Sequence, residues 1–169
     1  MKILETQRLI LRHLEPGDLD TLFALYQDPQ VVKFIPDAPQ TYEETREELE
    51  WFQNGHPKHP QLGLWATIYK ANGQFIGRCG LLPSTIDGQN EVEVAFTLAK
   101  AHWGKGLGTE AALGILQYGF NQLGLSRLIC LIVPENQASI KVARKIGMSF
   151  QRASKDEMGP FLIYSINKQ

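Results

Sequence analysis

The stretch that decides the fold reads HWGKGLGTEA and spans His102 to Ala111. Glycine stands at every second position from Gly104 to Gly108, and it lets a backbone turn tightly and approach a ligand without side-chain interference. An apolar helical pattern follows, so a helix is predicted from about Thr109. Consecutive amide N–H groups in such a turn point into one concavity beside the positive end of the helix. The turn is therefore predicted to bind phosphate oxygens, and a plain strand-to-helix turn without a ligand is the alternative.

Two other phosphate-binding patterns fit this turn less well. A P-loop reads GxxxxGK[ST], whereas Lys105 is followed here by Gly106, and the threonine comes four residues after the lysine. A dinucleotide fingerprint reads GxGxxG in an early β-α-β unit, and this turn reads GxGxG in the middle of the chain. A nucleotide-binding α/β protein therefore stays a minor alternative.

Upstream of the turn, apolar residues recur with the period of two that is typical of strands. Strands are predicted at 64–69, 74–82 and 91–98, and the Asn72-Gly73 pair is a strong hairpin signal. Three consecutive antiparallel strands make a meander. A further strand is predicted near the N-terminus, at 8–14.

Helical patterns occupy the segment between that first strand and the meander. One helix is predicted from Leu19 to about Asp28, after the turn residues Pro16-Gly17-Asp18. A second is predicted from Thr41 to Phe52, and Thr41 with Glu44 has the spacing of a capping box.

Downstream of the turn, the chain alternates between helices and strands. The predicted elements are a helix at 109–123, a strand at 127–133, a helix from Asn136 to Ile146 that ends at Gly147, and strands at 148–153 and 161–166. The sequence therefore predicts one α+β domain over residues 1–169, in which an antiparallel meander runs into a β-α-β-α-β unit.

Composition and charge exclude several classes of protein. Seventeen basic and eighteen acidic residues give a net charge of −1, which argues against a nucleic-acid-binding domain. No apolar run reaches the roughly 18 residues that span a bilayer, and the N-terminus lacks a signal-peptide core, so a cytoplasmic protein is expected. Cys79 and Cys130 are predicted to be buried and reduced. His56 and His59 lie in a loop without further ligands, so no metal site is predicted.

The glycine turn resembles the signature of the GNAT acetyltransferase superfamily, Arg/Gln-x-x-Gly-x-Gly/Ala. Gly106 and Gly108 match its two small positions, and Trp103 stands where arginine or glutamine is usual. HWGKGLGTEA is similar to the YWGKGYATEA of one subgroup, the ribosomal-protein N-terminal (Rim-type) acetyltransferases and their relatives. Four other segments resemble the same subgroup in the same order: LETQRLILR at 4–12, DPQVVKFI at 28–35, FIGRCGL at 75–81 and VPENQASIKVARKIGM at 133–148.

This resemblance implies a GNAT-like fold, with a mixed, mostly antiparallel sheet that splays at a cofactor cleft between strands 91–98 and 127–133. It also implies acetyl-CoA as co-substrate. The implied coenzyme-binding residues are Phe96, Thr97 and Leu98 for the pantetheine arm, Trp103, Gly104, Lys105, Gly106, Leu107, Gly108 and Thr109 for the pyrophosphate, and Asn136 at the next helix. Asn136 is alternatively only the N-cap of that helix.

The resemblance further points to residues for proton transfer. Glu93 is the candidate general base, although Glu91, Glu93 and Ala95 share one strand face and could form a solvated acidic surface. Many relatives protonate the leaving thiolate with a tyrosine, but Ala143 occupies that position. Ser139, one turn earlier, is the candidate substitute, or alternatively only a helix-start residue, and His102 is a weaker candidate.

The function implied by the resemblance is N-acetylation of a primary amine by direct attack in a ternary complex. The acceptor is a protein N-terminus or a small-molecule amine, and residues 34–42 and 56–61 are expected to form its surface. A catalytically idle acyl-CoA-binding module is the alternative, because the usual tyrosine is missing. Neither a nucleic-acid nor a membrane partner is expected, and a monomer and a homodimer are both open.

Overall fold

Eight strands form one sheet in the computed structural model, which describes residues 1–169. The order across the sheet is β1-β2-β3-β4-β5-β6-β8-β7, and only the β5–β6 pair is parallel. The strands are β1 (Lys2–Glu5), β2 (Leu9–Arg12), β3 (Gly63–Tyr69), β4 (Gln74–Ile86), β5 (Gln89–Leu98), β6 (Arg127–Ile132), β7 (Ser149–Asp156) and β8 (Gly159–Asn167).

Five helices cover the two faces of this sheet. They are α1 (Leu19–Gln27), α2 (Pro29–Val32), α3 (Tyr42–Phe52), α4 (Leu107–Asn121) and α5 (Gln137–Lys145), and 3-10 turns span Pro16–Asp18 and Lys100–His102. The apolar sides of α4 and α5 pack into the larger hydrophobic core, and those of α1 to α3 pack into a second core on the other face. No helix combines the length and the apolar character that crossing a bilayer requires.

The central strands β4 and β5 supply side chains to both cores in alternation, except at the bulge around Ile76 of β4. Cys79, Val94 and Leu98 belong to the larger core under α4 and α5, whereas Leu82 and Ala95 border the core under α1 to α3. The two faces of β4 and β5 therefore border different cores, and each face is covered by its own group of helices.

The meander, the helices α3 and α5 and the caps of these two helices agree with the prediction. Thr41 and Glu44 form the predicted capping box of α3, and Gly147, with φ of 97°, follows the end of α5. Both cysteines are buried and unpaired, as predicted.

Four details differ from the sequence prediction. Helix α4 begins at Leu107 rather than Thr109, because Gly106 adopts a left-handed conformation with φ of 77° and serves as the N-cap. Strand β1 was not predicted because its four residues carry two charges, and α2 forms where a loop was expected. In the tail, the more apolar strand β8 pairs with β6, so the exposed β7 lies at the edge of the sheet.

Candidate active site

A cleft opens where the two parallel strands separate. Strands β5 and β6 share a single register pair, Glu93 with Ile129, and diverge towards their carboxyl ends. Cys130 Sγ donates to Val94 O at 3.5 Å just past this point. Because the strands are parallel, the loops that lead into α4 and α5 meet at the same edge of the sheet, the usual position of ligand sites in α/β proteins. The expected splay between these two strands is present.

The backbone of β5 beyond Glu93 offers hydrogen-bonding groups to this cleft. Ala99 N donates to Ile76 O on β4, and a Cβ at Gly77 would lie 2.1 Å from Thr97 O. Backbone groups alternate in direction along a strand, so Thr97 pairs with β4 while Phe96 and Leu98 point towards β6. Of the three predicted pantetheine contacts, the geometry therefore supports the backbone groups of Phe96 and Leu98, whereas those of Thr97 belong to the sheet.

The glycine turn presents a row of unpaired amide groups at the mouth of the cleft. None of the backbone N–H groups of residues 104–109 donates to a protein acceptor. The first turn of any helix leaves such groups free, and Gly104 and Gly106, both with positive φ, add further ones. Residues from Trp103 to Gly106 are exposed. Trp103 Nε1 donates to Leu98 O at 2.8 Å, and this hydrogen bond attaches the turn to β5. This cradle fits the phosphate oxygens of a coenzyme.

An unpredicted ion pair holds the cradle in place. Glu110 on α4 accepts hydrogen bonds from Thr6 Oγ1, Arg8 N and Arg8 Nε, each at 2.7 Å. Arg8 Nη1 also donates to Lys105 O at 2.9 Å, which brings a guanidinium beside the glycine turn. Burial opposes ionisation of Glu110, but these hydrogen bonds keep its pKa below the ordinary value. No local sequence pattern predicts this contact, because Arg8 and Glu110 lie 102 positions apart.

The second loop of the cleft edge contains Asn136 and Ser139. Asn136 Oδ1 accepts from Ser139 N at 3.2 Å, so Asn136 is the N-cap of α5, which was the alternative reading of this residue. Its Nδ2 donates to Ser139 Oγ at 2.9 Å, which leaves the Ser139 hydroxyl proton free. Ala143, where many relatives have tyrosine, is fully buried in the larger core.

Glu93 lies at the point of divergence on the face covered by α1 to α3. The side chain is partly buried, and Ser84 Oγ donates to its carboxylate at 3.3 Å. Burial raises the pKa of Glu93 to about 7, although the Ser84 hydrogen bond and the charge of Arg78 oppose the rise. A carboxyl group with this pKa exchanges protons readily at neutral pH.

The neighbouring candidates have different environments. Glu91 pairs with Arg127 at 3.0 Å, so the acidic residues of β5 do not form a solvated acidic surface. His102 packs edge-on against Tyr69 at 5.7 Å, and burial lowers its pKa. No group of three His, Cys, Asp or Glu side chains is placed to hold a metal ion.

A second unpredicted feature is a buried polar group on the same face as Glu93. Arg78 on β4 donates from Nε to Tyr26 Oη at 3.0 Å, and Tyr26 donates to Glu48 on α3. Sequence patterns do not reveal this group because its members come from a helix, a second helix and a strand that are distant along the chain.

Comparison with known proteins assigns the family. Residues 8–149 match the model of the acetyltransferase (GNAT) domain. The chain is 37% identical over 162 residues to the uncharacterised protein YkkB of Bacillus subtilis (strain 168), covering 95% of this chain and 93% of that one. It is 34% identical over 153 residues to the uncharacterised N-acetyltransferase p20 of Bacillus licheniformis, covering 90% and 84%.

Solved structures agree with this assignment. The crystal structure of a GNAT-family acetyltransferase from Bacillus anthracis superposes with a TM-score of 0.83 at 25% identity, covering 99% of this chain and 98% of that one. The splayed sheet and its phosphate cradle thus define a GNAT fold. The chain belongs to the GNAT acetyltransferase family and is an acetyltransferase.

Proposed function

We propose that the chain transfers the acetyl group of acetyl-CoA directly to a primary amine in a ternary complex. The observation that carries this proposal is Glu93, a partly buried carboxyl with a pKa of about 7 at the divergence of β5 and β6. An amine is mostly protonated at neutral pH and must lose a proton to attack. Glu93 is placed on the strand that lines the cleft and has the proton affinity for that step.

Residues of the cleft edge would hold the coenzyme. The free N–H groups of residues 104–109 would donate to its pyrophosphate, and Phe96 and Leu98 would bind its pantetheine arm through the backbone. Acetyl-CoA supplies an activated thioester carbonyl. A backbone N–H of β5 that polarises this carbonyl would contribute about 3 kcal/mol in the transition state.

Two residues would move protons. Glu93 would accept the proton of the attacking amine, directly or through water. Ser139 would donate a hydrogen bond to the leaving thiolate and relay a proton from solvent to it, because its hydroxyl proton is free while its oxygen accepts from Asn136. No side chain acts as a nucleophile in this mechanism, so no acyl-enzyme forms. The acceptor therefore attacks while acetyl-CoA is bound.

The acceptor is a protein N-terminal amine or a small-molecule amine. The similarity of HWGKGLGTEA to the ribosomal-protein acetyltransferases supports the first class. The partly enclosed position of Glu93, behind α1 to α3, supports an acceptor that enters from the face opposite α4 and α5.

The test is thiol release from acetyl-CoA with peptide N-termini and small amines between pH 5.5 and 9. For wild type we expect kcat/KM, expressed per unprotonated amine, to rise through about pH 7 as Glu93 ionises. Glu93→Gln should be at least about 100-fold slower at pH 8 and should lack this rise.

Glu91→Gln is the matched control, since Glu91 lies on the same strand face and pairs with Arg127. It should keep the rise near pH 7. Thiol release by Glu93→Gln with an unchanged pH profile would refute the base assignment. Coenzyme binding without turnover of any amine would refute the proposed transfer and favour an idle binding module.

A further inference from the structure

Arg78 is a buried charge without a counterion in contact. Only 7% of the residue is exposed, and its one hydrogen bond runs from Nε to Tyr26 Oη. It forms no ion pair within 4.0 Å, whereas Asp18, the other buried charged residue, pairs with Arg12 at 2.8 Å. Burying an ion without a partner in contact is costly, and here Tyr26 and the charge of Glu48 offset that cost and keep the pKa of Arg78 above its ordinary value.

The neighbours of Arg78 do not neutralise it at close range. Burial raises the pKa of Tyr26, so its hydroxyl is uncharged at neutral pH, and its proton is donated to Glu48. Tyr26 therefore separates the two charges. Its ring also lies against the guanidinium, with Cζ 5.7 Å from the ring centroid, which fixes the orientation of the arginine.

The terminal nitrogens of Arg78 are both unpaired and accessible. Neither Nη1 nor Nη2 hydrogen-bonds within the protein, and the fully enclosed unpaired side-chain atoms are Thr67 Oγ1 and His102 Nδ1. The small exposed fraction of Arg78 therefore includes these two donors. Two parallel N–H groups on the outer edge of the guanidinium match the two oxygens of a carboxylate.

Arg78 and Glu93 face the same compartment. Arg78 pairs with Thr97 across β4 and β5, and Glu93 lies four residues before Thr97, so strand alternation places all three on the face under α1 to α3. Burial and the charge of Asp37 raise the pKa of Glu93, and the charge of Arg78 opposes this rise. One compartment thus offers a proton acceptor for an amine and a fork of donors for an anion.

We infer that Arg78 binds a carboxylate of the acceptor, and that the acceptor is a small amine carrying a carboxylate, such as a free amino acid. This inference rests on the proposed acetyl transfer. The amine lies towards Glu93 while the carboxylate pairs with Arg78, so the acceptor supplies the contacting counterion that the protein lacks. A peptide N-terminus has an uncharged amide at the corresponding position and cannot form this ion pair.

Matched acceptors test the inference without altering the protein. We would compare L-leucine, L-leucinamide and 3-methylbutylamine, which share a side chain and differ at the carboxyl position, with rates expressed per unprotonated amine. For wild type we expect kcat/KM for leucine to exceed that for each of the others by about tenfold or more, mainly through KM. Equal values, or a preference for leucinamide or the simple amine, would overturn the inference.

Two variants locate the effect at Arg78. Arg78→Met should bring the ratio of leucine to leucinamide close to one while the KM for acetyl-CoA stays unchanged. Arg78→Lys, which keeps the charge but loses the fork, should give an intermediate ratio. An equal loss on all three acceptors would mean a purely structural role and would contradict the inference.

A binding measurement separates this inference from the proposed function. With CoA present, N-acetyl-L-leucine should raise the melting temperature of wild type more than N-acetyl-L-leucinamide does, and Arg78→Met should lose the difference. Transfer to amines with no advantage for carboxylates in either assay would overturn the role of Arg78 alone. No transfer to any acceptor would instead overturn the acetyl transfer itself.

Discussion

At the scale of single residues, the proposed catalytic role of Glu93 comes with an energetic cost. Its carboxyl is partly buried, Ser84 is the side chain that donates to it, and no cation is in contact with it. Burial makes ionisation unfavourable and raises its pKa to about 7, from 4.5 in the unfolded chain. The same property that allows proton exchange at neutral pH therefore lowers the stability of the folded protein at that pH.

The raised pKa of Glu93 makes the free energy of unfolding decrease with rising pH. Between about pH 4.5 and 7 the folded state holds a proton that the unfolded state has lost, so the free energy of unfolding falls as the pH rises. Glu93→Gln cannot ionise and avoids this loss. We expect it to be more stable than wild type at pH 8, by about 1–3 kcal/mol, and to gain little at pH 4.5. Urea unfolding at the two pH values measures the difference.

Glu91→Gln serves again as the comparison. Its loss of the Arg127 ion pair should cost no more than about 1 kcal/mol, with no change centred near pH 7. A stability difference between wild type and Glu93→Gln that is the same at pH 4.5 and pH 8 would show that Glu93 ionises normally.

Asn136 shows what a local sequence pattern predicts well. The capping of α5 by Asn136 follows from residue type and position alone. Whether a residue also contacts a coenzyme depends on the opposite wall of the cleft, which belongs to another part of the chain.

At the scale of secondary-structure elements, the N-terminal strands brace the helix that forms the cradle. Glu110 on α4 receives three hydrogen bonds from the turn between β1 and β2, and Arg8 in that turn reaches back to Lys105 O. The glycines of the cradle are conformationally free by themselves, so this brace defines where their N–H groups point.

We therefore expect Glu110→Gln to weaken CoA binding by severalfold or more, because the amide cannot accept all three hydrogen bonds with a carboxylate's strength. The change in Kd can be measured by calorimetry. Glu47→Gln, at an exposed position on α3, should leave Kd unchanged. An unaltered Kd in Glu110→Gln would indicate that the cradle keeps its shape without the brace.

The prediction of elements succeeded where each element is decided by near neighbours. The alternation of β4 and β5, the Thr41 box and the Gly147 stop are local signals, and the structure contains all of them. The start of α4 was predicted two residues too late because Gly108 reads as a turn residue. In the structure Gly104 and Gly106 both take left-handed conformations, and Gly108 already lies inside α4.

At the scale of the whole molecule, the sheet consists of two antiparallel parts. Strands β1 to β5 form one, strands β6, β8 and β7 form the other, and the β5–β6 contact between them is confined to one register pair. A ligand in the cleft contacts both parts, so its binding should stabilise the fold as a unit.

We expect acetyl-CoA or CoA, at about 100-fold excess over Kd, to add roughly 2.7 kcal/mol and raise the melting temperature by about 5–10 °C. ATP at the same concentration should have a much smaller effect, because it lacks the pantetheine arm that Phe96 and Leu98 are proposed to bind. Differential scanning fluorimetry compares the two. Equal stabilisation by ATP would mean that the cradle recognises phosphate alone.

The sequence by itself determined the family, the order of the elements apart from β1 and α2, and the positions of the glycine turn and of Glu93. These features depend on residue types and spacings within about 20 positions of one another. The Arg8–Glu110 brace, the pairing of β8 rather than β7 with β6, and the buried Arg78 were decided only by the tertiary structure. Each depends on groups from distant segments, whose charges and apolar surfaces find partners only when the sheet and helices pack together.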